Sequence, residues 1–356
     1  MWTVIRLTAL IAVGLVVVLV GVGYGYEILM AAGDARSFPA PGRTLSVNGQ
    51  SMHLFCTGSG SPTVVMDAGL GGWSADWTRV QPAVSHSTRV CSYDRPGMGW
   101  SSPRPEPRDA QHAADELHGL LASAAIEGPL VLVGHSNGGL RVLLYAAEHR
   151  ADIVGMVLVD PTPMSTDEEQ FVALSASEQA ELIALGSTLP STNEGGAQLL
   201  VGLIQAARPF GVARLLSDGV LASTIYPHLA SDLQPAYRAG VNRASYMSTV
   251  RAEAAQRQTS IDQVRQVGAL GDLPMVVLAS SDPIAFYGDP VPPEFSGRAS
   301  ELMRLMLNSS RQAIASLSSN GRVEAVERTG HYIQFDRPDA VIQAIQDVLV
   351  ASGTSR

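Results

Sequence analysis

The chain predicts an α/β protein: a mainly parallel sheet with helices on both faces, interrupted by a helical insertion and preceded by one long apolar helix. Three observations carry that reading. Short Val- and Leu-rich runs, such as Leu130–Val133 and Val157–Val159, alternate with amphipathic stretches, the pattern of strands buried on both faces. From Met164 to Gly271 the alternation gives way to Ala-, Leu-, Glu- and Gln-rich sequence with helical spacing and no strand candidate. Near the N-terminus, Leu7 to Tyr26 is a run of 20 residues without a charge.

A run of that length suffices to cross a hydrocarbon core of about 30 Å as a helix. Arg6 precedes it while Glu27 and Asp34 follow, which favours a cytoplasmic N-terminus and an exported remainder. A cleaved signal peptide is the alternative. Its apolar region is usually about 7–15 residues, shorter than this run, although Met30-Ala31-Ala32-Gly33 offers a weak cleavage site. Residues 1–30 are therefore read as a transmembrane or signal-anchor segment, and residues 31–42, rich in Ala, Pro and Gly, as a linker. On either alternative the remainder is extracytoplasmic, membrane-anchored or secreted.

Thr44–Val47 and Gln50–Cys56 read as a hairpin, because Asn48-Gly49 between them suits a tight turn with positive φ. Thr63–Met66 is a buried-strand run, Trp77–Val84 is amphipathic, and Thr88–Tyr93 is another strand. Helix-like Asp109–Ala125 leads into Leu130–Val133, and helix Leu140–Glu148 into strand Val154–Val159. After the insertion the pattern resumes with Leu273–Ala279, a helical Ser300–Leu317, strand Arg322–Glu327 and a final helix Asp339–Ala351. The sheet needs strands from both sides of the helical block. Residues 43–163 and 272–356 are thus one core, and residues 164–271 a cap inserted in it.

At 356 residues, 46% hydrophobic, the chain can bury a large core in one or two domains. Its net charge of −9, without a cluster of Lys or Arg, argues against a nucleic-acid partner. His53, His86, His112, His118, His149 and His228 fall in no metal-ligand spacing, and no phosphate loop or dinucleotide fingerprint is present, so neither metal nor cofactor is expected. The even cysteine count, Cys56 and Cys91, permits a disulfide in an exported domain; two buried thiols are the alternative.

The chemistry-bearing segment is Gly134-His135-Ser136-Asn137-Gly138-Gly139, set between a strand and a helix. A turn this sharp demands small residues beside its apex, which Gly134 and Gly138 supply, and it lifts the serine hydroxyl above the sheet edge. Ser136 is the candidate nucleophile. A neutral hydroxyl needs a base, and His331, in the loop after the last strand candidate, is placed to serve. Two carboxylates can orient that imidazole. Asp160 ends the strand Val157–Val159, and Asp282 follows the strand ending at Ala279. Both keep the chain order Ser, Asp, His; Asp289 is a more distant third.

Four segments in this order resemble the α/β-hydrolase superfamily over about residues 43–350: Asp67–Gly72, Tyr93–Ser101, Gly134–Gly139 and Thr329–Pro338. The resemblance implies an eight-stranded sheet with a Ser–acid–His triad at its C-terminal edge and a cap after the sixth strand, where residues 164–271 fall. In that family Asp282 occupies the commoner acid position. Aligning Ala68-Gly69-Leu70 with the family's His-Gly-x loop makes the Leu70 amide a second oxyanion donor beside that of Asn137, with alanine replacing the family's histidine. Asp94 and Arg95 then belong to a turn that braces loops, and His135 to packing beside the site. The family's sheet order also sets Cys56 beside Cys91, which implies their pairing. The function expected is that of an esterase- or lipase-like serine hydrolase acting on a small-molecule acyl substrate. Acyl transfer, peptidase or cofactor-free haloperoxidase chemistry and a low-turnover binding role are the alternatives. Serine at the apex sets the chain apart from the related haloalkane dehalogenases and epoxide hydrolases, which use aspartate there.

Overall fold

Each apolar run becomes a strand whose alternate residues feed different cores. In a computed structural model describing residues 1–105, 107–188, 202–203, 206–217, 229, 231–283 and 293–353, the strands are β1 (Arg43–Val47), β2 (Gln50–Thr57), β3 (Thr63–Asp67), β4 (Val90–Tyr93), β5 (Leu130–His135), β6 (Ile153–Val159), β7 (Met275–Ser280) and β8 (Gly321–Val326). The helices used below are α1 (Trp2–Ser37), α2 (Ala110–Ser123), α3 (Asn137–Glu148), α4 (Pro293–Ala315) and α5 (Pro338–Ala351). The chain divides into two compact units, residues 40–190 with 248–356 and residues 1–39 with 191–247.

The first unit holds an eight-stranded sheet in the order β1-β2-β4-β3-β5-β6-β7-β8. β2 runs antiparallel to both β1 and β4, and every other pairing is parallel. Leu130 and Leu132 of β5, with Met156 and Leu158 of β6, join Leu117 and Leu120 of α2 and Leu143 of α3 in one cluster. Their neighbours Val131, Val133, Val157 and Val159 join Val341, Ile345 and Val348 of α5 in a second cluster on the opposite face. Period-two alternation between two apolar faces therefore explains why the runs contain no polar residue. Antiparallel register sets Cys56 opposite Cys91, and the two are joined by a disulfide. The hairpin turn takes positive φ at both Asn48 and Gly49, as its sequence requires.

In the second unit, α1 is long and apolar enough to cross a membrane, with a mean hydropathy of 2.6 over its most apolar window and no residue of that window buried. The helix runs seven residues into the stretch expected as a linker, ending at Ser37. Ala31, Ala32 and Ala35 are strong helix formers, and the first imino acid that stops the helix is Pro39. Residues 202–203 and 212–217 are helical, and Gln234–Val241 forms a further helix.

Candidate active site

β5 delivers Ser136 to the C-terminal edge of the sheet with φ 51° and ψ −122°, immediately before α3. A non-glycine residue held there costs about 1–3 kcal/mol, so the surroundings must enforce it. They do so sterically. A Cβ on Gly134 would sit 2.6 Å from the Gly138 carbonyl oxygen, and one on Gly138 would strike the Asp67 carbonyl oxygen. They also do so by hydrogen bonding: Ser136 N–H donates to Val159 O (3.1 Å), and Thr162 N–H donates to Ser136 O (3.1 Å). The elbow is thereby tied to the end of β6, where Asp160 follows.

Asp160 is also held at positive φ, 41°. Its Oδ2 accepts from His331 Nδ1 at 2.7 Å. The Ser280 amide and hydroxyl, at the end of β7, each lie 3.1 Å from Oδ1, and Arg311 Nη2, on α4, lies 2.5 Å from it. Burial by itself would push this carboxyl up. The hydrogen bond from His331, the Arg311 charge and the Ser280 amide reverse that and hold Asp160 well below the usual carboxylate range. Asp282 is arranged differently. It is exposed, and its carboxylate accepts from Ser300 Oγ rather than from His331. Asp289 lies outside the described residues.

His331 reaches the edge through the loop after β8, and its ring lies 4.7 Å, centroid to centroid, from that of His135, the residue preceding Ser136. His135 does more than pack. Its Nε2 lies 3.0 Å from the His331 carbonyl oxygen, which can only accept, so the proton is on Nε2. Nδ1 then accepts from Gln334 Nε2 at 3.2 Å. Burial, with the adjacent His331 adding to it, pushes His135 down to about 3, leaving it a neutral strut between β5 and the His331 loop. The Ser136 hydroxyl itself has no hydrogen-bond partner among the described residues.

Across from this group, the Ala68–Gly72 loop packs on the elbow: a Cβ on Gly69 would lie 3.1 Å from Ser136 Cβ. Among the described residues the amides of Leu70 and Asn137 have no intramolecular acceptor. The Asn137 side chain is engaged, its Oδ1 accepting from Thr162 Oγ1 at 2.5 Å. Arg95 grips the loop from beneath. Its Nη1 donates to Ala68 O (2.9 Å) and Asp67 Oδ1 (2.9 Å), and its Nη2 to Gly69 O (2.8 Å). Glu253 accepts from Arg95 Nε at 2.8 Å, and Arg141 on α3 pairs with Asp67 through Nε at 2.8 Å. Asp94 braces the next turn, accepting from the Ser74 amide at 2.9 Å and the Trp100 amide at 2.7 Å.

The sheet order and the strained serine turn define an α/β hydrolase. A model of the alpha/beta hydrolase family matches residues 54–344, and the chain belongs to that family. It is 33% identical over 120 residues, 33% of this chain and 47% of the relative, to the uncharacterized protein YqjL of Bacillus subtilis. The chain spans less than half the length of such curated relatives. Among solved structures it is similar to a thermophilic esterase from Thermogutta terrifontis (18% identity, TM-score 0.55, covering 87% of this chain and 98% of that one). It is likewise similar to the epoxide hydrolase CorEH (17% identity, TM-score 0.58, covering 86% and 98%). At these identities the likeness is one of fold.

Proposed function

We propose that the protein is a serine hydrolase cleaving a carboxylic ester, or a related acyl bond, through an acyl-enzyme on Ser136. The observation that carries this reading is the 2.7 Å bond between His331 Nδ1 and Asp160 at the strand edge that bears Ser136. With Nδ1–H donated to Asp160, the lone pair of His331 is on Nε2, the tautomer a general base needs. His331 Nε2 takes the Ser136 proton as Oγ bonds to the acyl carbon. The oxyanion so formed is met by the Leu70 and Asn137 amides, each of which is worth about 10²–10³ in rate. The imidazolium returns the proton to the leaving alcohol, and a water activated the same way releases the acid. Asp160 stays ionised throughout, orienting the imidazole and stabilising its charge.

Serine at the apex argues against the aspartyl-ester route of epoxide hydrolases despite the likeness to CorEH. Residues 164–271 serve in this reading as the cap of the core, and α1 as a membrane anchor with the catalytic unit on the extracytoplasmic side. The test uses the full chain in detergent with a fluorophosphonate probe and p-nitrophenyl esters of increasing acyl length. Wild type is expected to label and turn over, and Ser136→Ala to do neither. A folded wild type that resists the probe and hydrolyses no ester would leave a binding protein on a hydrolase scaffold.

A further inference from the structure

The unit formed by α1 and residues 191–247 carries a second apolar surface besides α1 itself. Every described residue of 202–217 that is exposed is apolar: Gly202, Leu203, Ala206, Pro209, Leu215 and Leu216, with Leu215 70% exposed. The two charged residues described in this stretch are both turned inward. Arg208 Nη2 donates to the Val241 carbonyl at 3.1 Å and to that of Arg243. Arg214 is buried and forked onto α1, through Nε and Nη2 to Glu27 (3.0 Å each) and through Nη1 to Asp34 (2.6 Å).

The place where this stretch meets α1 matters. Gly23 and Glu27 lie one turn apart on one helical face, and a Cβ on Gly23 would sit 2.6 Å from Phe210 O. Gly211, at φ +75°, likewise brings the chain against Tyr26, where a Cβ would lie 2.6 Å from the ring. Gly23 is three residues from the end of the charge-free run at Tyr26, so at 1.5 Å per residue the contact lies about 4.5 Å inside that end. Interfacial segments bury their apolar faces about 5–10 Å into the headgroup boundary. Depth, the outward absence of charge and continuity with α1 all fit one occupant.

We propose that residues 202–203 and 206–217 form a second membrane contact, with Leu203, Leu215 and Leu216 set in the lipid leaflet beside the C-terminal end of the α1 span. The Arg214 fork onto Glu27 and Asp34 pairs one guanidinium with two carboxylates at the boundary and fixes the segment's depth. The contact rests on the reading of α1 as a membrane anchor; hydrolytic chemistry at Ser136 plays no part in it, so lipid quenching and probe labelling fail independently.

Among the described residues both cysteines are in the disulfide, which leaves an introduced cysteine as the thiol to label. The full chain, carrying an environment-sensitive fluorophore at Leu203→Cys, Leu215→Cys or Leu216→Cys, is reconstituted in vesicles of phosphatidylcholine and phosphatidylglycerol. Acyl-chain spin-labelled lipid then reports depth, with Val20→Cys in α1 and Glu127→Cys on the exposed surface of the catalytic unit as references. Quenching at the three leucine positions within about twofold of that at Val20, and little at Glu127, is the result expected of an interfacial segment. Quenching no greater than at Glu127 overturns the proposal. So does a blue-shifted emission insensitive to spin-labelled lipid, which would mean that protein, from this chain or a second copy, covers the leucines. An unquenched label at Val20 removes the membrane altogether and the proposal with it.

Discussion

Asp67 and Asp160 are both buried carboxylates at the C-terminal edge of the same sheet, and their partners make them different devices. Asp67 faces the guanidiniums of Arg95 and Arg141, which keep their charge at every working pH. Asp160 divides its oxygens among Arg311, Ser280 and the imidazole of His331. Both carboxyls are held below their ordinary range against the opposing effect of burial. A carboxylate pinned by fixed charges can only brace. In the mechanism proposed, one that also holds an imidazole orients the base and stabilises its charge. The contrast teaches that depth and ion pairing do not by themselves tell the two carboxylates apart; the identity of the remaining partner does.

The largest effect expected separates the two acid candidates. Asp160→Asn should lower kcat by about 10⁴-fold by losing the tautomer and the imidazolium counter-charge. Asp282→Asn, altering an exposed carboxylate bonded to Ser300, should leave kcat near wild type. The reverse outcome in ester hydrolysis would return the acid to the end of β7. Next comes Asp67→Asn, which removes a carboxylate shared by two buried guanidiniums, leaving Arg95 its pair with Glu253, and should cost about 3–5 kcal/mol of stability. Denaturant midpoints combined with active-site titration would separate fold from function. A variant as stable as wild type but inactive would make Asp67 a working residue and dissolve the contrast.

Arg311→Met is a finer cut. Asp160 loses one of its anchors, and a displacement of about 1 Å can cost 10²-fold in kcat/KM. Without that guanidinium the Asp160 carboxyl also rises, so activity should fail at a higher pH on the acid side than in wild type. An unchanged pH profile would reduce Arg311 to packing.

The smallest effect concerns the strut. His135 titrates at about 3 in the fold and about 6.5 in an unfolded chain. Between those values the unfolded state binds the extra proton, so stability falls on acidification, by at most about 1.4 kcal/mol per pH unit from this group. His149, also lowered, acts with the same sign. The depressed carboxyls of Asp67 and Asp160 lose their contribution only when pH drops through their folded values, below most of this window. Urea midpoints measured from pH 7 to 4.5 should therefore decline less steeply in His135→Gln. Identical slopes would mean that the ring accepts a proton in place.

Much of the fold was legible because its signals are local. Val/Leu runs mark strands with apolar cover on both faces, Asn48-Gly49 marks a hairpin, and Gly134 and Gly138 flank a turn that leaves no room for a Cβ. α1 runs on to Ser37 through the stretch read as linker, because its alanines are good helix formers and the first proline after the span is Pro39. Arg311 left no trace in the sequence: it is 151 residues from Asp160 and is an ordinary charged residue on a helix. Ser280 lies beside the position where an acid was considered, yet a serine after a strand signals nothing by itself. His135 read as packing because its bond to the His331 carbonyl spans 196 residues.

By itself the sequence determined a two-faced parallel sheet, a serine at the apex of a glycine-bounded turn, a histidine after the last strand and an apolar helix ahead of them all. Periodicity and steric need act over a few residues, and they are written wherever those residues stand. Only the tertiary structure decided that Asp160 rather than Asp282 meets the imidazole, that Arg311 and Ser280 hold it there, and that Arg95 grips the loop beside Ser136. Those choices depend on which strand ends the sheet order brings side by side and on which guanidinium can reach a buried carboxylate. Such distances exist only once the chain has closed on itself.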